Sequence, residues 1–319
     1  MGLLDALKSG ARASLPPLFG GGKKKVVDDD LFDDEFQRKL EHLALVSRKV
    51  FAGRMRAERR TKKSGSGVEF ADHRDYQPGD DFRTLDWNVY QRFDRLLVRL
   101  YEEEEDLAIY VILDASGSMG FDERKKLRYG KVVAAALAYV GLANLDRVAI
   151  VSTSDIVAGR MPETRGKSRI FKVFRFLTSV EPKGLTDLES AMKTFVAQNK
   201  RRGLAVLISD LYDPEGFEKG INVLRYAKFE PLVIHVVDEN DGRPKLQGDL
   251  LLYDCETGDE REVTVTAKVL DRFEEEYVYY LRKIERFCSG KQVGYVKADI
   301  RMPFDDLVLR IFRRGGFLR

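Results

Sequence analysis

Residues 109–113 read Ile-Tyr-Val-Ile-Leu and run straight into Asp114-Ala115-Ser116-Gly117-Ser118. An apolar run with no polar alternation needs cover on both faces, which predicts an interior strand of a parallel sheet and so an α/β fold. The strand then ends in clustered oxygen side chains. Asp114, Ser116 and Ser118 alternate with small residues, so a tight turn can aim their oxygens at one point. Only hard oxygen donors are offered, a ligand set that suits Mg²⁺ or Mn²⁺ and argues against zinc.

Two later segments supply what such a loop lacks. Residues 184–188, Gly-Leu-Thr-Asp-Leu, put the Thr186 hydroxyl at the mouth of a helix, with Thr186 expected as its N-cap; residues 204–210 form a second apolar strand ending in Asp210. Ligands of parallel α/β sheets gather beyond the carboxyl ends of the strands, so Asp114 and Asp210 are expected there together. The Asp-x-Ser-x-Ser run, the Thr of Gly-x-Thr-Asp and the strand-terminal Asp resemble the metal-ion-dependent adhesion site of von Willebrand factor A domains. That resemblance implies a metal site of Asp114, Ser116, Ser118, Thr186 and Asp210. It also implies a doubly wound, mainly parallel sheet of the von Willebrand A or Rossmann-like kind. Asp, Ser and Gly are ordinary turn formers, so the first run alone is a common pattern; its value lies in the company of Thr186 and Asp210.

The 319 residues, 44% of them hydrophobic, suffice for a sizeable core. A net charge of +3, from 55 Lys and Arg against 52 Asp and Glu, is too balanced to indicate a nucleic-acid binder. Cys255 and Cys288 have no paired metal-ligand spacing and suit a reducing compartment. No apolar run reaches the roughly 18 residues of a membrane span, and residues 1–30 lack a secretory layout, so a cytoplasmic protein is expected. Met1-Gly2 is followed by Ala6 where a myristoylation motif wants Ser or Thr.

Residues 1–30 read as a flexible arm, from their Gly, Pro and like-charge blocks. Residues 31–105 read as an N-terminal helix followed by an ordered loop, and 106–319 as the α/β domain with C-terminal helices. Phe36, Leu40, Leu43 and Val50 recur at helical spacing, predicting a helix from about 33 to 54. Residues 54–63 are rich in Arg and Lys; an anionic or nucleic-acid partner is one reading, a solvated helix end the other. Residues 65–87 then alternate acids, Arg and aromatics around Pro78-Gly79. This reads as an ordered loop held by ion pairs, with Arg74 and Arg83 as forks for Glu69, Asp80, Asp81 or Asp86, and with Phe70, Tyr76 and Trp87 as apolar anchors. The run closely resembles the signature of domain-of-unknown-function family 58, whose members join it to a von Willebrand A-like domain. Members are often encoded beside MoxR-type AAA+ ATPases, which implies such an ATPase as partner in assembly or chaperone-like work.

Beyond Asp114 the pattern alternates strand and helix. Helices are expected at 124–141, around 170–177, from Asp187, at 214–228, along Leu270 to Cys288 and at 304–312. Strands are expected at 147–153, 156–159, 231–237, 250–253, 262–265 and 292–296. Asp238, Glu239 and Asp241 match no EF-hand and read as a solvated turn without chemistry.

Enzyme readings find little support. A dehalogenase-like phosphatase needs a second acid where Ser116 stands, no Gly-x-Ser-x-Gly elbow surrounds Ser118, and His42, His73 and His235 read as structural. No nucleotide-binding Gly-x-x-x-x-Gly-Lys-Ser/Thr run is present. The expected function is therefore a non-enzymatic module that captures a partner protein's Asp or Glu at an open position of the metal. The rivals are a metal-dependent phosphoesterase and a nucleic-acid binder acting through residues 54–63.

Overall fold

The computed structural model describes residues 12–13, 31–58, 60–64, 69–104 and 108–313. Two compact units emerge, Val46–Leu107 and a larger one of Ala108–Phe317 with Met1–Leu45. The division falls inside the first long helix, at 45/46, and again at 107/108. Strand β1 is Arg12–Ala13, and the remainder of the expected arm lies outside the described residues. Helix α1 (Asp34–Glu58) opens with Asp33 accepting the Phe36 N–H at 2.7 Å and with Asp34 and Glu35 in its first turn, where the helix dipole favours acids. Phe36, Leu40 and Leu43 are buried at the expected spacing, and the Phe36 ring lies 4.8 Å from that of Phe304.

The smaller unit is an antiparallel sheet in the order β2-β4-β3, of β2 (Arg60–Ser64), β3 (Glu69–Asp75) and β4 (Leu97–Glu104). Part of the expected ordered loop is thus a strand, and the basic segment is divided between the end of α1 and β2; Arg59 lies outside the described residues. Asp86 organises the connection between β3 and β4. Its Oδ1 caps the short helix α2 (Trp87–Phe93) by accepting from Asn88 and Val89 and also takes Arg99 Nη2 at 2.9 Å, while Oδ2 meets His73 Nε2 at 3.0 Å. Arg99, then His73, holds Asp86 well below the usual carboxylate range. Arg74 grips Asp80 with 2.8 and 2.9 Å bonds, as expected. Asp86 is held by Arg99, which the sequence reading did not name; of the expected apolar anchors, Tyr76 is half-buried and stacks on Phe82, whereas Phe70 and Trp87 are 54% and 56% exposed and do not anchor the loop.

The larger unit centres on a six-stranded sheet in the order β12-β9-β8-β5-β6-β7. Its strands are β5 (Ala108–Asp114), β6 (Arg147–Thr153), β7 (Val157–Thr164), β8 (Leu204–Ser209), β9 (Glu230–Val237) and β12 (Gly294–Asp299). All pairs are parallel except β6 with β7, whose edge position accommodates Pro162. Helices cover both faces. Tyr110 and Ile112 point to one face and pack with side chains of α5 (Leu188–Gln198), α6 (Phe217–Tyr226) and α8 (Ala267–Gly290). Ile109 and Leu113 point to the other, where Gly141 and Gly130 of α3 (Phe121–Ala143) let the helix approach so closely that an added Cβ would stand 2.9 Å from each. The same face carries α4 (Ile170–Ser179) and α9 (Phe304–Arg313) against α3. A separate sheet pairs β10 (Gly248–Tyr253) with β11 (Glu260–Val265), and β1 adds to its edge.

The 238–242 segment departs from expectation. Asp238 caps a single turn, α7 (Glu239–Gly242), and Asp241 is buried beside Lys126, not solvated. No helix among the described residues is long and apolar enough to cross a membrane. His235, in β9, is buried, and its Nδ1 lies 3.0 Å from the Tyr295 hydroxyl. Burial pushes its imidazole down to about 3. A histidine so depressed adds stability above its unfolded value, near 6.5, and loses it as pH falls toward 3. Urea unfolding from pH 7 to 4 should therefore show His235→Gln losing stability less steeply than the parent, by on the order of 1.4 kcal/mol per pH unit; parallel profiles would disprove it.

Candidate functional site

The sheet reverses its winding between β5 and β8: from β5 the chain moves outward through β6 to β7, then returns to β8 on the other side and continues to β9 and β12. The crevice beyond the carboxyl ends at such a switch point is where open α/β sheets bind ligands. Asp114 ends β5, and Asp210 directly follows β8, its in-register neighbour. Asp114, Ser116, Ser118, Thr186 and Asp210 are all buried.

Their oxygens form a chain of contacts. Asp114 Oδ1 accepts the Ser116 N–H at 2.9 Å, and Oδ2 accepts the Ser209 hydroxyl at 2.6 Å. Ser116 Oγ lies 3.0 Å from Ser118 Oγ, which donates to Asp210 Oδ1 at 3.2 Å. Leu211, the next residue, turns the chain with φ of 60° while its N–H bonds Ser209 Oγ at 2.9 Å. Backbone bonds bring the Thr186 loop alongside: Gly117 N to Gly184 O at 3.1 Å and Lys183 N to Ala115 O at 2.8 Å. Thr186 is not the N-cap; Asp187 takes that role by accepting from Ser190, which leaves the Thr186 hydroxyl to point elsewhere.

It points to a residue that the sequence pattern did not single out. Thr186 Oγ1 donates to Glu256 Oε1 at 2.6 Å, the Thr186 N–H reaches Oε2 at 2.9 Å, and the Ser118 N–H reaches Oε1 at 3.2 Å. The chain's own Glu256 carboxylate thus bridges the Ser118 and Thr186 loops. A second unanticipated participant is Lys126 of α3, whose ammonium lies 3.0 Å from Asp210 Oδ2, 2.6 Å from Asp241 Oδ2 and over the Tyr212 ring. Burial, then the neighbouring Asp210 carboxylate, pushes Asp114 up to about 7, and burial raises Glu256 as well.

The donors are carboxylate and hydroxyl oxygens, the class of ligand a small hard cation takes. The Ser116–Ser118 and Ser118–Asp210 separations of 3.0 and 3.2 Å are hydrogen bonds among these side chains. No group of three or more His, Cys, Asp or Glu able to hold a metal is found among the described residues. Hydroxyl oxygens would have to do much of the work.

The family model described as "Protein of unknown function DUF58" matches residues 72–279, well over half of the chain. The chain belongs to the DUF58 family. Uncharacterized proteins Rv1480 of Mycobacterium tuberculosis and Mb1516 of Mycobacterium bovis are each 26% identical to this DUF58 chain over 266 residues, spanning 82% of it and 84% of themselves. Uncharacterized protein MAV169 of Mycobacterium avium is 37% identical over 87 residues, 27% of this chain and 51% of its own. Among solved structures, the conserved hypothetical protein BatB from Bacteroides thetaiotaomicron aligns over 66% of the DUF58 chain and 98% of its own, with a TM-score of 0.40 and 16% identity. An aerotolerance-related membrane protein from Bacteroides fragilis aligns over 65% and 99%, with a TM-score of 0.38 and 15% identity.

Lys126 is the testable element of this DUF58 site. Its side chain is 8% exposed, and those of Asp210 and Asp241 are 0% and 3% exposed, so removing the ammonium takes this countercharge from two buried carboxylates. Lys126→Met should cost about 3–5 kcal/mol in urea unfolding, and adding Asp241→Asn should recover part of it. Additive losses from the two substitutions would refute the coupling.

Proposed function

We propose that this DUF58 protein is a non-enzymatic, metal-dependent protein-binding module, its larger unit a von Willebrand A-like domain with a metal-ion-dependent adhesion site. The observation that carries this reading is the chain of oxygens from Asp114 through Ser116 and Ser118 to Asp210 at the switch point of the sheet. In it, Ser116, Ser118 and Thr186 would bind Mg²⁺ or Mn²⁺ directly, and Asp114 and Asp210 directly or through water. The cation would supply a fixed positive charge that attracts an acidic side chain.

Glu256 supports the second half of the reading. A carboxylate at the mouth takes hydrogen bonds from Thr186 and Ser118, so the surface is complementary to an Asp or Glu side chain. The expected partner is a protein presenting such an acid. A MoxR-type AAA+ ATPase fits the family resemblance and would supply the nucleotide chemistry that this chain's motifs lack. A cytoplasmic setting belongs to the same reading.

Calorimetric titration of the purified protein with MgCl₂ and MnCl₂ should show one site, lost in Asp114→Ala and weakened at least about tenfold in Ser118→Ala. Pull-down from lysate should lose its acidic partner when chelator replaces Mg²⁺. Unchanged capture in chelator, or phosphoester turnover abolished by Asp114→Ala, would overturn the reading, the latter in favour of a hydrolase.

A further inference from the structure

The hairpin turn that presents Glu256 is itself a constructed element. Asp254 Oδ1 accepts the N–H groups of Glu256 and Thr257 at 2.8 and 2.9 Å, Asp254 N bonds Asp259 O at 2.9 Å, and Gly258 closes the turn at φ of +75° with its N–H on Asp254 O at 3.0 Å. The turn lies flat on the Asp114–Ser118 loop: a Cβ on Gly117 would stand 3.1 Å from both Cys255 O and Glu256 Cγ. Any side chain at 117 would press on the turn and force it to give by a few tenths of an ångström. The carboxylate so delivered spans two site loops, taking Ser118 from one and Thr186 from the other.

These contacts are of the kind a visiting acid would make, and they come from the β10–β11 hairpin of the small three-stranded sheet outside the central sheet. Such a peripheral element can separate from the domain at lower cost than a core strand can. We propose that Glu256 is an intramolecular ligand of the site, held over the cation by the β10–β11 turn and displaced when a partner's carboxylate takes its place. The inference rests on the metal-site reading of Asp114 through Asp210 and adds its regulation: the site is closed by its own chain, and capture is an exchange of one carboxylate for another. Affinity for a partner is then set by the difference between the two acids, reduced by the fraction of molecules in which the hairpin is closed.

Cys255 provides the readout, since it adjoins Glu256, is partly exposed and is in no disulfide, whereas Cys288 is fully buried. The full chain is labelled with N-ethylmaleimide, with and without MnCl₂, and the rate at Cys255 is followed by mass spectrometry while calorimetry measures Mn²⁺ binding. In the parent protein Mn²⁺ should slow Cys255 labelling about tenfold, the size expected when one charge-assisted hydrogen-bonded contact is tightened. Glu256→Gln and Glu256→Ala should still bind Mn²⁺ yet lose that protection, and should capture an acidic partner more strongly; Asp114→Ala should neither bind nor protect. If the parent binds Mn²⁺ but Cys255 labels at one rate throughout, or if both Glu256 variants are protected like the parent, the intramolecular ligand is disproved and the metal site stands. If the parent binds no Mn²⁺, both readings fall.

Discussion

Two carboxylates brought out of water at the ends of neighbouring parallel strands impose the constraint around which the larger unit is built. Asp114 and Asp210 are fully buried, and an ionised carboxylate in low dielectric must be hydrogen-bonded or neutralised. Nearly every polar group nearby answers that need. Ser209 and the Ser116 amide serve Asp114, while Ser118 and Lys126 serve Asp210. Even the left-handed Leu211 fits, since the turn it makes directs its N–H back to Ser209. A non-glycine residue held there is a local strain, and strain of that sort is tolerated where surrounding structure fixes it.

Asp86 and Asp114 sit in opposite electrostatic surroundings. Asp86 in the smaller unit has a guanidinium and an imidazole permanently against it and is held below the normal carboxylate range. Asp114 has hydroxyl and amide donors with a second acid near it, and is pushed up to about 7. Both are satisfied by their own chain, the first by cationic partners and the second by neutral donors.

Much of the candidate site could be read from residue order. Asp114, Ser116 and Ser118 follow an apolar run that can only be an interior strand, and Asp210 follows another, so the sheet topology obliges the two acids to share an edge. Glu256 was invisible because a hairpin turn of Asp, Glu, Thr and Gly looks like any solvated turn; its meaning lies in a contact with Ser118 across 138 residues. Lys126 and Asp241 escaped for a related reason. A lysine on a helix and an acid in a polar turn are ordinarily solvated, and only their mutual burial with Asp210 shows otherwise.

Local chemistry in the sequence therefore determined the α/β class, the mainly parallel strands, the ion-paired ordering around Arg74 and Asp80, and the meeting of Asp114 and Asp210 at one edge of the sheet. These depend on periodicity, side-chain type and spacing within a few residues, which act before distant segments meet. Tertiary structure alone decided where the sheet switches direction, that Lys126 neutralises Asp210, and that Glu256 covers the mouth and draws Thr186 away from the cap that Asp187 fills. The contacts of Lys126 and Glu256 join groups far apart in the chain, brought within 3.2 Å only when burial of the sheet's two faces gathers the loops.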